Sequence, residues 1–282
     1  ANTVSITSNI NDIALKANKA DPTFTGTITS GSISSTGTIS ATAFVGDGSG
    51  LTGLPSGGGG LQSITESSKT GYRRSDANAE IYGDIGQYAV DLSISNSNLS
   101  SGATGTASIA MGYNTSATST ITTAFGNSTT ASGESSTAMG KNTTSSGVNS
   151  TAMGEDTIAI GESSTAIGKR TTASGDNSTA IGDGTVASGI ASTAMGINNT
   201  ASGDNSTAIG VTTRAIGDNS TAMGSGTQAI GVVSTAIGFN TTASGEGSIA
   251  MGGNTEASGM YSTAMGEGTI ASDYGSLTIG TY

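Results

Sequence analysis

The 282-residue chain has no cysteine, no histidine, no tryptophan and only two prolines. Without cysteine there is neither a disulfide framework nor a thiolate site. Aromatic residues make up 4% and charged residues 10% of the chain, and Leu, Ile, Val and Phe are too scarce to fill an ordinary core. Low hydrophobicity often means disorder, but disordered chains usually combine it with dense charge and irregular spacing. No stretch approaches the roughly 18 consecutive apolar residues of a membrane-spanning helix. The first residues lack the basic region and apolar run of a secretory signal, so any export signal or anchor is expected outside this sequence. A net charge of −11 disfavours nucleic acid as a partner, because that binding relies on Lys and Arg at the phosphates.

What the chain does have is glycine, 45 of them, in strict register. The stretch Ser136-Thr137-Ala138-Met139-Gly140 recurs, and its closing glycine returns every 14 residues from Gly112 to Gly280, thirteen glycines in all. A second column, half a period out of phase, runs from Gly133 and Gly147 to Gly259. So short a period, held without an insertion, describes a stack of identical coils rather than a globule. At about 4.8 Å per coil, thirteen coils make a rod of about 60 Å.

Each coil reads as two strand-like halves ended by glycine, and side chains in a strand alternate between its faces. Two residues before glycine stands Ala in both halves, as in Ala138 and Ala131. These columns are expected to face each other across a thin interior. The residue one before glycine points the opposite way. In the first half it is large and apolar: Met111, Phe125, Met139, Met153, Ile167, Ile181, Met195, Ile209, Met223, Ile237, Met251, Met265 and Ile279. An exposed apolar column of that length exceeds what a soluble monomer usually shows, so it is expected to lie at an interface between copies of the chain. Three rolls would bury it on a threefold axis, and two would also do so. In the second half the same position is mostly Ser, but Ile216 and Ile230 occupy it in adjacent coils near Val232 and Val233, which suggests a small surface-binding strip. Thr143, Thr157 and Thr171 belong to a threonine column whose stacked hydroxyls are expected to hydrogen-bond from coil to coil. Asp176-Asn177, Asp204-Asn205 and Asp218-Asn219 stack at one corner; turn chemistry explains them, and no metal is assigned.

The repeats divide the chain into an N-terminal fibre segment (1–60), a transition and capping segment (61–107) and the roll (108–282). In the first, Ile10 to Ala17 fits a short helical stripe, and Phe24-Thr25-Gly26-Thr27-Ile28 begins a series of short strands that closes in a glycine linker. The G-x-G-x-x-G at Gly48, Gly50 and Gly53 precedes Leu54-Pro55, not a helix, so it does not carry a dinucleotide site. The second segment holds the densest charge. Repeat stacks need a terminal unit over their open edge, and a cap is expected here. Glu80 and Asp84 as an acid/base pair, with Arg73-Arg74 as an anion clamp, are the weaker catalytic reading, since no pocket-forming domain surrounds them.

Two resemblances follow. Ala14-Leu15-Lys16-Ala17-Asn18-Lys19-Ala20-Asp21-Pro22-Thr23-Phe24-Thr25-Gly26-Thr27 and the Gly46–Leu54 phrase resemble segments of bacteriophage tail fibres and related viral fibre proteins. Asn205-Ser206-Thr207-Ala208-Ile209-Gly210 and its copies resemble the YadA-like head of trimeric autotransporter adhesins. The second resemblance implies an all-β, left-handed parallel β-roll, an obligate homotrimer and a role in surface attachment. Methionine replaces isoleucine in most coils, and the family's neck, coiled-coil stalk and membrane-anchor barrel have no counterpart in these residues. The combination favours a non-enzymatic trimeric viral tail fibre that attaches a particle to a host-cell surface. The alternatives are the passenger head of a bacterial adhesin and a structural spacer. Expected partners are the chain itself, a host surface glycan or protein, and other fibre or tail proteins at its ends. No cofactor, nucleic acid or membrane insertion is expected.

Overall fold

The chain divides into two compact units, Ala1–Leu54 and Pro55–Tyr282. The computed structural model describes residues 60–77, 81–95 and 101–281. The helical stripe, the early short strands and the fibre-like phrases lie outside the described residues.

All regular secondary structure among the described residues is strand, with no α-helix. A hairpin comes first, β1 (Leu61–Glu66) and β2 (Lys69–Arg74), followed by β3 (Val90–Ile94) and β4 (Gly102–Ala103). From there five-residue strands alternate with two-residue strands, from β5 (Ile109–Tyr113) and β6 (Ser116–Ala117) to β28 (Ile270–Ala271) and β29 (Leu277–Thr281). The long strands form one sheet of 16 strands with the hairpin at its edge, and the short ones a second sheet of 13. Every coil pairs in parallel with the next, residue for equivalent residue: Ala152 faces Ala166, Met153 faces Ile167 and Gly154 faces Gly168. The result is a parallel β-solenoid of about 14 turns. Its ladder begins earlier than the glycine columns suggest. Val90–Ile94 already pairs in parallel with Ile109–Tyr113, so the stack reaches back into the 61–107 segment.

The two glycine columns serve different needs. Gly140 has φ +125°, a region open to glycine, and a Cβ there would also overlap the carbonyl oxygen of Gly154 in the next coil. Gly147 has no left-handed φ, yet its Cβ would overlap the carbonyl oxygen of Gly161. Close approach of backbones is thus common to both columns, and an unusual φ belongs to the first. The second left-handed position of each corner is filled mostly by Asn, Ser, Asp or Gly, such as Asn142 and Asn149.

The interior contains the alanine columns, fully buried in both sheets. It also contains two hydroxyl columns, exemplified by Thr143 and Ser150, equally buried. The expected hydroxyl ladder is corrected here. Thr143, Thr157 and Thr171 point inward, and their Oγ1 atoms have no hydrogen-bond partner. Equivalent atoms on adjacent parallel strands sit about 4.8 Å apart, beyond the roughly 2.7–3.0 Å of an O–H···O bond. Where interior hydroxyls do bond, they bond within their own coil: Ser150 Oγ donates to Gly147 O at 2.6 Å. Ser145 replaces alanine in its column and places its hydroxyl 2.6 Å from that of Ser150.

The N-terminal end is closed by the hairpin and a buried polar cluster. β2 pairs in parallel with β3 so that Arg73 stands opposite Asp91, and Asp91 stands opposite Ala110. Asp91 therefore occupies the level where the alanine column begins. Its Oδ2 lies 3.3 Å from Arg73 Nε, close enough for ion pairing but not aligned as a hydrogen bond. Its Oδ1 accepts hydrogen bonds from the Ser93 backbone N–H (3.0 Å) and hydroxyl (2.6 Å). Arg73 also donates to Glu66 Oε1 (3.0 Å) and Gly83 O (2.7 Å), and its guanidinium lies 5.1 Å from the centre of the Tyr82 ring. Gly83 and Gly86 donate backbone N–H bonds to Ser101 O and Ala103 O, which covers the edge of the short-stranded sheet. Ile85 fills the first interior level, fully buried. Both sheet edges at this end are thus occupied, as a stack that must not recruit further chains requires.

Removing one partner of a buried ion pair leaves an uncompensated charge. Arg73→Met is expected to destabilise the roll by about 3–5 kcal/mol. Adding Asp91→Ala, the residue that follows at this level in the next coil, is expected to restore most of the loss. Unfolding midpoints followed by circular dichroism check this, and a double variant no better than the single one contradicts it.

Candidate functional site

Because the interior repeats, differences between coils appear on the outward columns. The long strands present three of them, at the positions of Thr137, Met139 and Lys141. The structure brings Met111, Phe125, Met139, Met153, Ile167, Ile181, Met195, Ile209, Met223, Ile237, Met251, Met265 and Ile279 into one outward line, each in register with the next. Met111, Phe125, Met195, Met223 and Ile279 are exposed and the others half-buried. Their shielding comes from the neighbours above and below and from the threonine column beside them.

The strip proposed from the sequence divides. Ile216 and Ile230 are neighbours on the short-stranded face, since Ala215 pairs with Ala229 and Ile216 N–H donates to Ala229 O at 2.8 Å. Ile230 is exposed, and Ile216 is half-buried. Val232 and Val233 lie at the adjoining corner, 47% and 57% exposed. Val233 has φ +58°, and a β-branched residue there is a genuine conformational outlier. Its N–H still makes the corner's coil-to-coil bond, to Asp218 O at 2.8 Å. The stack imposes the backbone, and the side chain accepts it.

The corner after the first glycine carries paired charges. Lys141 Nζ lies 2.9 Å from Glu155 Oε1, and Lys169 Nζ 3.9 Å from Glu155 Oε2. Arg170 reaches Asp183 at 2.7 Å. The hydrogen bond from Lys141, followed by the charges of Lys141 and Lys169, holds the Glu155 carboxyl below the usual carboxylate range. Further along, the same column becomes apolar, with Ile197, Val211 and Phe239 exposed.

At the other corner the Asp-Asn pairs perform turn chemistry. Asp176 Oδ1 accepts from Glu162 N–H, Asp204 Oδ1 from Ile190 N–H and Asp218 Oδ1 from Asp204 N–H, each at 2.9 Å. Asn177, Asn205 and Asn219 hold the left-handed position. Among the described residues no group of three or more acidic side chains is arranged to hold a metal ion.

The residues of the catalytic reading are not brought together. Arg73 is buried in the cap, Arg74 pairs with Asp76, and Asp84 accepts a hydrogen bond from Ser67. Glu80 lies outside the described residues. The functional features that sequence reasoning missed are the Arg73–Asp91 pair and the Tyr261–Tyr274 pair. Asp91 was legible in principle as the one acid standing in phase with the alanine column. The tyrosines, 13 residues apart, do not share a repeat position, and only the rings' orientation joins them.

Two measurements test these corners. Val233→Asn places a residue suited to left-handed backbone at this position, so the melting temperature is expected to rise, by an amount equivalent to about 1 kcal/mol. The Glu155 carboxyl is depressed in the folded state. Its contribution is therefore present at neutral pH and is lost as pH falls below the ordinary carboxylate value of about 4.3 and through the depressed one. Glu155→Gln is expected to flatten that part of the acid limb slightly, and high salt to reduce the difference, because the pair is exposed.

A comparison with known families matches the same residues. The family model for the YadA head domain repeat, two copies per match, fits successive stretches from 103–129 and 122–143 to 229–255 and 257–282. Among curated protein sequences none matches the chain. The matched stretches are those in which long and short strands alternate over a buried alanine pair. They cover more than half of the chain, and the chain belongs to the YadA head domain repeat family.

Proposed function

We propose that the chain is the adhesive head of a homotrimeric, non-enzymatic surface fibre, built on the family's left-handed roll. The observation that carries this reading is the continuous outward line from Met111 to Ile279. Each such side chain contributes roughly 1.5–3 kcal/mol when fully buried, and a threefold axis buries all of them at once. Adhesion then works by avidity: three chains with repeated corners present many weak contacts together. YadA-type heads belong to surface adhesins outside the cell, which supports a bacterial cell-surface head that binds matrix or cells.

A second reading, a viral tail fibre that attaches to a host surface glycan or protein and joins other tail proteins at its ends, has its own support. It rests on the fibre-like phrases at Ala14–Thr27 and Gly46–Leu54. Genomic neighbours separate the two: an anchor barrel favours the adhesin, and tail or capsid genes favour the virus. A glycan array on the intact assembly separates either binder from a plain spacer.

Mass in solution is the decisive measurement. A trimer is expected, and Met153→Lys with Ile167→Lys, two adjacent rungs of the outward line, is expected to dissociate it while the β-sheet signal persists. A stable monomer in the parent protein overturns the proposal.

A further inference from the structure

The corner that follows the second glycine column has a one-sided charge. Its stacked residues include Glu134, Glu162, Asp176, Asp204, Asp218 and Glu246, and neither that column nor the left-handed column beside it contains a Lys or Arg. The basic residues Lys141, Lys169 and Arg170 stand at the other corner with carboxylate partners of their own. At its C-terminal end this acidic corner becomes aromatic. Tyr261 occupies the left-handed position, φ +56°, and its ring lies over Gly247, where an added Cβ would come within 2.6 Å of Tyr261 Cδ1. The Tyr274 ring stands against it at 86°, with centres 5.8 Å apart. Tyr261 Oη is 3.4 Å from Glu246 Oε1. Both rings are open to solvent, Tyr261 at 52% and Tyr274 at 76%.

The chemistry of this corner selects its ligand. Ring faces carry negative electrostatic potential, and two faces at right angles attract a cation placed in the angle between them. The nearby Glu246 carboxylate adds charge of the same sign. An anionic ligand is repelled by the whole corner, and a neutral one gains nothing from the carboxylate. A primary ammonium keeps a tightly held hydration shell and must exchange it for hydrogen bonds, of which the rings supply none. A quaternary ammonium has no N–H to satisfy and an apolar methyl surface that fits aromatic walls. We propose that Tyr261, Tyr274 and Glu246 form a binding site for a quaternary ammonium group of the kind carried by choline. This extends the adhesive reading by naming a ligand class, but the site is made by one chain and does not depend on trimer formation.

The test is titration of the intact protein with choline and with tetramethylammonium, followed by the tyrosine ring resonances, with sodium at equal ionic strength as the blank. Saturable shifts of two tyrosines are expected, with dissociation constants of about 1–10 mM, because an exposed cation–π site is weak. Tyr274→Ala is expected to weaken binding about 2–5-fold, the loss of one exposed cation–π contact. Its large exposure makes an unchanged melting temperature the expected control. Glu246→Gln is expected to weaken binding and reduce its salt dependence. Methylammonium is expected to bind more weakly than tetramethylammonium. Retention on choline-bearing beads, with elution by free choline, tests whether the group is also taken from a surface. Shifts reproduced by sodium, absence of saturation, or equal affinity in Tyr274→Ala overturns the site. A trimer that ignores both ammonium ions overturns this inference and leaves the fibre reading standing. A monomer that binds them does the reverse.

Discussion

Everything in this fold depends on how closely one coil lies on the next. The carbonyl oxygen of Gly154 occupies the space where a Cβ on Gly140 would be, and the same relation recurs along both glycine columns. Contact of backbone on backbone leaves no tolerance for an extra residue within a coil, because an inserted residue would lift the neighbouring coil off its ladder of N–H···O bonds. The 14-residue period is therefore kept without insertion from Gly112 to Gly280. The same closeness sets the size of the interior. Two strands joined by such tight corners admit only Ala, Ser and Thr between them, and stability rests on the summed coil-to-coil ladder rather than on a large apolar core. Disrupting one coil is felt mainly by its neighbours.

This constraint explains how much was legible in the sequence. Period, phase and face followed from counting back from glycine, so the alanine columns, the outward Met and Ile line and the parallel stack were all readable. The threonine column was readable as a column but not as an interior one. Thr143 lies one residue past the left-handed Asn142, and strand alternation counted from the glycine does not survive that corner. The cap was unreadable for a different reason. Its hairpin turns on Ser67 and Ser68, both with positive φ, and serine does not announce a left-handed turn as glycine or asparagine would. The partner of Arg73, Asp91, is 18 residues away in a segment where the repeat has not yet begun, so no period points to it.

Exceptions inside the roll show how the stack absorbs a change. Asn199 replaces threonine at a fully buried position. Its amide has more hydrogen-bonding groups to satisfy than a hydroxyl, and all of its bonds go to backbone. Nδ2 donates to Met195 O (2.6 Å) and Gly210 O (2.7 Å), and Oδ1 accepts from Thr213 N–H (2.8 Å). Two of these bonds reach the next coil. A buried polar group that is fully paired costs little, and here it joins adjacent turns where threonine only fills space. The room for it exists because the carbonyls of a glycine corner lie unshielded beside the interior.

The outward positions obey a looser rule, and that looseness is where specificity can reside. A corner's backbone conformation is dictated by the coils on either side, which is why Val233 is held at φ +58° although valine disfavours it. Residue identity at a corner is thus decoupled from the fold within a margin of about 1–2 kcal/mol per position, the cost of left-handed backbone for an ordinary residue. A stack with many coils can carry a few such costs. Apolar, aromatic and charged residues then accumulate at corners according to what meets them, while the Ala, Ser, Thr and Gly columns remain fixed. The two corners have diverged under that freedom. One neutralises its charges internally through Lys141, Glu155 and Lys169, and the other keeps its carboxylates without a counter-ion and ends in two tyrosines. A surface with unbalanced charge and exposed rings is costly to leave unused. The divergence therefore locates recognition at the second corner rather than in the repeat motif by which the fold is identified.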